Sequence, residues 1–254
     1  MCWNTTNTDV ANTSTMSFRF KQFFVEDSKC AMKVGTDGVL IGCWPLTIGR
    51  WPIHRVLDVG TGSGLVALML AQRCTEAHID AIDIEEAAVA QAQENFIHSP
   101  WHDRLDAFVS PIQDWQSGPY ELIVSNPPYF QNSLKNPDKG RQTARHTDTL
   151  SYAELLQHSA RLLTENGLLA LILPAESEAE VREIAKQYSL YCTHVTRVYS
   201  KESKPARRVL LLFEKSTTSR RPLEIGLKED TLILEDNKAG RSRDYQEITK
   251  DFYL

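Results

Sequence analysis

No run of apolar residues in this 254-residue chain approaches the roughly 20 that a membrane-crossing helix requires. The opening MCWNTTNTDVANTSTMS has neither a basic n-region nor an apolar h-region, so a cytoplasmic location is expected, with residues 1–17 disordered. Cysteine is scarce and unpatterned. Cys2, Cys30, Cys43, Cys74 and Cys192 make an odd set without a C-x-x-C pair, which argues for reduced thiols and against a disulfide frame or a zinc site. His98 and His102 have the spacing of metal ligands, but Pro100 and Trp101 between them break a helix, and no metal is expected. A surplus of positive charge is missing too: 28 basic residues against 33 acidic give a net charge of −5. The whole molecule therefore does not attract nucleic acid, although a local basic surface remains compatible with that total.

What is present, from Arg55 onward, is an alternation of strand and helix signals. RVLDV (55–59) reads as a buried strand and LVALMLAQRC (65–74) carries apolar residues at helical spacing. HIDAID (78–83), the helix EEAAVAQAQENF (85–96), and the strands DAFVS (106–110) and ELIVS (121–125) follow. After a long polar loop come the helix YAELLQHSARLL (152–163), the strand in NGLLALILP (166–174), the helix ESEAEVREIAKQY (176–188), and strands near 190–199 and 207–214. The last two are joined too closely for a crossover and should pair antiparallel. The pattern predicts an α/β fold, a mostly parallel seven-stranded sheet with an antiparallel last strand and helices on both faces. One domain is expected over 18–254, with an N-terminal extension to 53, a core sheet over 54–215, and a tail over 216–254 forming a hairpin and a short helix.

Two sites in this frame carry chemistry. The strand RVLDV runs into DVGTGSG (58–64), and a helix starts at once. Gly60, Gly62 and Gly64 permit a tight turn and a close approach of a ligand to the backbone; Asp83, at the end of the next strand, sits where an acceptor for ribose hydroxyls is expected. A dinucleotide fingerprint spaces its glycines G-x-G-x-x-G, whereas here they fall G-x-G-x-G behind an acid, Asp58, which would repel pyrophosphate and attract an ammonium group. The turn resembles motif I of the class I S-adenosylmethionine methyltransferases, and hydride chemistry on a nicotinamide is the lesser reading.

The second site is Asn126-Pro127-Pro128-Tyr129, at the end of ELIVS. Ligands of open α/β sheets bind at the carboxyl ends of strands. Asn126 Oδ1 and the Pro127 carbonyl are two acceptors able to take the N–H groups of an exocyclic amine and turn its lone pair outward. The paired prolines fix φ and bring no competing donors, and Tyr129 offers a ring for stacking a planar target. The tetrapeptide resembles that of the methyltransferases acting on adenine N6, guanine N2 or glutamine amide nitrogen.

The resemblance narrows further. FRFKQFFVEDSKCAMKVGTDGVLIGCW (18–44), ARHT (144–147), SKPARRVLLLF (203–213) and DYQEITKDFYL (244–254) are similar to segments of the bacterial tRNA1(Val) adenine-N6 methyltransferases, covering nearly everything from Phe18 onward. It implies S-adenosylmethionine as cofactor and, as substrate, the adenosine 3′ of the anticodon, position 37, in a tRNA anticodon loop, methylated by a monomer without metal or membrane. It also implies that Lys33, Thr36 and Asp37 line the cofactor's methionine end opposite Asp58 and the three glycines, that Asp83 holds the ribose, and that Asn126 to Tyr129 hold the base. Where the family has an Asp near the cofactor adenine, SPIQDW (110–115) has Pro111; the Ile112 backbone is the expected contact, with Asp114 from a shifted turn as the alternative. A basic RNA surface is expected from Lys135, Lys139, Arg141, Arg145 and His146 after the catalytic strand, and from Lys201, Lys204, Arg207 and Arg208 on the last hairpin, with Arg19, Lys21 and Lys29 ahead of the sheet. Phe18, Phe20, Phe23 and Phe24 belong mostly to core packing. Methylation of rRNA or of a protein glutamine, and a non-catalytic RNA-binding module that keeps the cofactor, are the competing functions.

Overall fold

The computed structural model describes residues 17–48, 52–128, 150–217, 226–236 and 240–253. In chain order the elements are β1 (Ser17–Arg19), β2 (Phe24–Glu26), α1 (Thr36–Cys43), β3 (Arg55–Val59), α2 (Leu65–Arg73), β4 (His78–Asp83), α3 (Glu86–Ile97), β5 (Leu105–Val109), β6 (Tyr120–Ser125), α4 (Tyr152–Leu162), β7 (Leu163–Pro174), α5 (Glu178–Lys186), β8 (Leu190–Tyr199), β9 (Ala206–Lys215), β10 (Lys228–Ile233) and α6 (Arg243–Thr249). The main sheet has the order β10-β8-β9-β7-β6-β3-β4-β5. All neighbours pair parallel except β9, which runs antiparallel to both β7 and β8. The strands β3, β4 and β5 advance toward one edge, and the chain then returns to lay β6 on the other side of β3, which makes the gap between β3 and β6 the switch point where such sheets bind ligands.

Alternation along the strands sorts side chains into two cores. Val56, Leu122, Val124, Ala170, Ile172, Leu210 and Leu212 face α1 and α2, while Leu57, Val59, Ile123, Leu169, Leu171, Val209 and Leu211 face α4 and α5. Every residue of α2 from Leu65 to Ala71 is buried, because α1 covers its outer side. Such a helix shows apolar residues all round rather than one stripe. By contrast α4 is amphipathic and begins with a capping box in which Ser151 Oγ accepts from Glu154 N and Glu154 accepts from Ser151 N.

The expected seven strands and the expected tail hairpin need correction. The sheet has eight strands, because β10 joins it parallel to β8 rather than folding back as a hairpin; among the described residues of the tail the antiparallel pairing is a single bridge between Glu235 and Arg241. Thr196 Oγ1 on β8 donates to Asp230 on β10 and accepts from Trp44 Nε1, so buried polar contacts hold this exposed edge strand. At the other end, β1 and β2 form an antiparallel pair with Phe20 and Phe23 buried and stacked at 4.6 Å between ring centroids, as expected of core aromatics. Phe18 remains 40% exposed.

Candidate active site

The glycine turn lies at the carboxyl end of β3, pinned to its neighbours by backbone hydrogen bonds. Gly60 N and Thr61 N both donate to Ile82 O, at 2.9 and 3.1 Å, and Gly62 N donates to Asp83 Oδ2 at 2.9 Å. Gly60, Gly62 and Gly64 all have positive φ, of 73°, 54° and 80°, a region that side chains with a Cβ rarely adopt. They differ in surroundings. A Cβ added at Gly60 or Gly62 would meet no described atom within 4 Å, whereas one at Gly64 would lie 2.5 Å from Phe96 Cε1. The first two glycines therefore front an open space that a ligand can enter, and the third lets α3 close against α2. The turn therefore fits the expected cofactor.

Two acids face the turn in different states. Asp58 is 1% exposed; it accepts from Thr61 Oγ1 at 2.7 Å and staples the turn from beneath. Burial pushes its pKa up to about 7, opposed by the hydrogen bonds from Thr61 and the Ala67 backbone and reinforced by the nearby charge of Asp83. Asp83 is only half-buried, and its second carboxylate oxygen accepts from Glu85 N at 3.1 Å. Beside it, Ile84 is 55% exposed, an apolar side chain standing at the mouth of a polar site. Ser110 N donates to Asp83 O at 2.9 Å, which brings the segment that starts with Ser110, Pro111 and Ile112 to the same strand end. Ile112 is buried, with its carbonyl accepting from Arg161, while Asp114 lies farther along the turn within electrostatic reach of His158.

Next to the turn lies the end of β6. Val59 pairs with Ser125 in the parallel register, and Ser125 Oγ donates to Val59 O at 2.8 Å. The residue after each partner is Gly60 on one strand and Asn126 on the other, so the candidate amide emerges beside the open side of the glycine turn. Asn126 is half-buried, Pro127 buried and Pro128 exposed; Tyr129 lies outside the described residues.

The N-terminal segment closes the site from another side. Burial, then the charges of Asp27 and Asp83, push the Cys30 thiol pKa up while Lys33 lowers it, so this segment is within electrostatic reach of Asp83. Lys33 Nζ donates to the carbonyls of Asp27 and Ser28, Thr36 opens α1, and the Asp37 carboxylate accepts from Arg208 Nε at 2.7 Å. Arg208, expected on the RNA surface, is thus engaged from within the protein. Arg207 and Lys204 are exposed, and Lys201 reaches Glu235 at 3.6 Å. Lys135, Lys139, Arg141, Arg145 and His146 lie outside the described residues. Lys29 pairs with Glu94 at 2.6 Å, and Lys21 Nζ donates to Lys250 O. Sequence reading passed over Asn95, a buried amide on α3 whose Nδ2 donates to Ser63 O and Glu26 O, both at 2.8 Å, and ties the turn to β2. Its position as a polar residue among the apolar ones of an amphipathic helix was the available signal. Among the described residues no group of three or more His, Cys, Asp or Glu side chains is disposed to hold a metal, and no helix is long and apolar enough to cross a membrane.

Strand order, switch-point turn and strand-end acid together define a class I methyltransferase fold, and the methyltransferase small domain model matches residues 39–197. A structure described as a predicted O-methyltransferase from Agrobacterium tumefaciens superposes with a TM-score of 0.64 at 14% identity, over 85% of this chain and 96% of that one, a likeness of fold alone. The chain is 43% identical over 239 residues to the tRNA1(Val) (adenine(37)-N6)-methyltransferase of Bacteroides thetaiotaomicron, spanning 93% of this chain and 97% of that protein. The protein of the same name from Parabacteroides distasonis is 45% identical over 240 residues, with the same coverage. The chain belongs to the tRNA1(Val) (adenine(37)-N6)-methyltransferase family.

Proposed function

We propose that this protein transfers a methyl group from S-adenosylmethionine to N6 of adenine 37, the base 3′ of the anticodon, in tRNA1(Val), acting as a monomer in the cytoplasm where that RNA is found. One observation carries the reading: the Val59–Ser125 register, which brings Asn126 out beside Gly60 at the switch point. The names and high coverage of the relatives support the choice of RNA and base.

The cofactor, when bound, supplies an activated methyl group on a sulfonium. Gly60 and Gly62 would let it approach the backbone, and Asp83, whose carboxylate accepts from Gly62 N and Glu85 N, would accept from the ribose hydroxyls. Ile84 would offer apolar contact to its adenine, and the backbone of Ile112 a polar one, the Ile112 side chain being buried in the core. The target adenine is extruded from its stack, as duplex- and loop-modifying enzymes require, and Tyr129 stacks on it. Asn126 Oδ1 and Pro127 O accept from the two N6–H groups. Those acceptors would hold the amine with its lone pair turned toward the glycine-turn side, where the methyl donor would be held, so that proximity and electrostatics supply most of the rate. Methylation leaves one proton too many on N6, which would pass to solvent water, while the bonding pair of the sulfonium would stay on the departing thioether, so no dedicated base is needed. Lys204, Arg207 and the basic residues over 135–146 hold the phosphates.

The test is to incubate the protein with labelled S-adenosylmethionine and total tRNA, total rRNA or protein extract, and to map the modified nucleoside by mass spectrometry. N6-methyladenosine at position 37 of tRNA1(Val) is the expected product. Label entering rRNA or a glutamine instead, or no turnover with intact cofactor binding, would replace the proposal.

A further inference from the structure

We propose that the Asp37–Arg208 ion pair is a positioning strut for methyl transfer, and that neither residue serves mainly as a ligand of cofactor or RNA. The proposal rests on the reading of Asn126 as the amine-holding residue.

The geometry begins with alternation. On β9, Leu210 and Leu212 face α1 and α2, so Arg208 at the same parity projects to that face; on β6, Leu122 and Val124 do the same, and the alternation carried one step past the strand brings Asn126 there too. Arg208 pairs with Pro174 at the end of β7, and β7 lies between β9 and β6. Two strand spacings of about 4.8 Å put Arg208 roughly 10 Å to one side of β6. The glycine turn lies one strand to the other side, on β3.

Asp37 spans this interval from above. It stands in the first turn of α1, whose next residue, Gly38, approaches Leu65 so closely that an added Cβ would sit 3.0 Å from Leu65 Cδ2. Leu65 is the first residue of α2, directly after Gly64. The α1 N-terminus is therefore packed on the cofactor turn, while Arg208 Nε holds the same N-terminus from the β9 side at 2.7 Å. The two side chains are 25% and 30% exposed, sheltered enough for the contact to have a defined geometry. A link between residues 171 positions apart thus runs across the ends of β6 and β7, fixing the distance between the turn that holds the donor and the strand end that holds the acceptor. Effects of that distance fall on the transfer step, since misplacement by about 1 Å costs as much as a hundredfold in rate.

The discriminating experiment measures kcat, the KM for tRNA, the Kd for S-adenosylmethionine and its salt dependence for RNA in Asp37→Asn, Arg208→Gln and the reversed pair Asp37→Arg with Arg208→Asp. Wild-type turnover on tRNA, measured first, tests the functional reading separately. Each neutral variant should lose about tenfold in kcat at saturating substrates, with both binding constants within about twofold of wild type. The reversed pair should recover to within about fivefold of wild type, short of full activity because an arginine is unfavourable at a helix N-terminus. Three results overturn the strut. One is an Asp37→Asn defect that vanishes at saturating cofactor, which makes Asp37 a cofactor ligand. Another is an Arg208→Gln defect in tRNA affinity with a flattened salt slope that the reversed pair does not repair, which makes Arg208 a phosphate ligand. The third is unchanged kcat in both neutral variants. Where a neutral variant fails to fold, as judged by circular dichroism and the loss of a cooperative thermal transition, Arg208→Lys replaces it, keeping charge while losing the Nε contact, and the same outcomes apply.

Discussion

In the proposed reaction Asn126 and Pro127 do at one strand end what neither could do alone, because an amine with two N–H groups is oriented only when both find acceptors. Replacing Asn126 by alanine removes one acceptor and leaves the glycine turn intact. The expected result is a kcat lower by about 10²–10³ with cofactor affinity unchanged, as removal of one such electrostatic contact costs elsewhere; single-turnover assays and a thermal shift with S-adenosylmethionine check the two halves. Gly62 and Gly64 make a sharper contrast, since both have positive φ but only Gly64 is crowded by Phe96. Gly64→Ala combines the left-handed penalty with overpacking and should cost about 2–5 kcal/mol, while Gly62→Ala should cost about 1–2 kcal/mol of stability and show its effect in cofactor affinity. Equal losses in a denaturant titration would remove the role given to Phe96. Asp58 supplies the pH dependence. Its folded pKa, raised by burial from 3.8 to about 7, means that the native state keeps a proton the unfolded chain has released. The stability tied to that proton is therefore lost progressively as pH rises from about 4 to 7. Asp58→Asn removes this slope, so the wild-type minus variant difference in unfolding free energy should fall across that window; a flat difference would show that the carboxylate is ionised in the native state.

Among elements, α2 shows how the turn is kept in place. Its end is tied down by two arginines: Arg104 donates to Ala71 O in the last turn and to Cys74 O and Ala77 O just beyond it, at 3.1, 2.9 and 2.6 Å, and Arg73 of the last turn donates to Cys43 O at the end of α1 and Ile248 O in α6. Arg104→Ala removes three hydrogen bonds around the end of the helix that begins at Gly64; Cys74 O keeps the bond from Ala77 N, and the loss costs about 1 kcal/mol or more for each of the other two partly buried carbonyls. A Tm lower by roughly 5–10 °C is expected for a chain of this size, with the cofactor affinity reduced less than the stability; thermal denaturation with and without cofactor measures both. Elements of this kind were readable from sequence where burial imposes a period. Every strand and helix from β3 to β9 was legible, since RVLDV, HIDAID and LLALILP sit in a sheet covered on both faces and LVALMLAQRC is enclosed. The edge strand β10 was not, because KEDTLI has four exposed residues of six and owes its place to Trp44, Thr196 and the β8 backbone. The β1–β2 pair was missed for a related reason: three-residue strands are too short to show alternation, and their stability comes from Asn95, Phe20 and Phe23. At the site, the turn, the acid at 83 and the strand-end amide were visible because each is a local motif. The Asp37–Arg208 contact was not, because no local pattern relates positions so far apart.

For the molecule as a whole, the unresolved tension in the sequence was a net charge of −5 on a protein that handles RNA. The structure shows how the balance is distributed. Several cations are neutralised where they stand: Lys29 by Glu94, Arg73 by Asp251, Arg208 by Asp37, Arg197 by Glu178 and Glu229. Arg207, by contrast, is exposed at the start of β9, next to the connection from β8 that carries Lys204, and so at the carboxyl-end rim near the catalytic strand. If affinity for tRNA comes from phosphate contacts at this rim, then each contact releases counterions and contributes to the slope of log K against log salt, by about 0.7 on a single strand, as in an anticodon loop, against about 0.9 on a B-form duplex. Arg207→Ala should accordingly weaken tRNA binding several-fold at 100 mM salt and lower the slope by about that amount, uniformly across tRNA sequences. Lys29→Ala is the matched control: it removes the same charge from the total, yet its partner Glu94 already neutralises it beside α3, so affinity and slope should stay at the wild-type values. Fluorescence anisotropy of labelled tRNA between about 50 and 200 mM salt separates the two. Equal effects of the two variants would mean that only total charge matters, and the basic rim would then have no place in recognition.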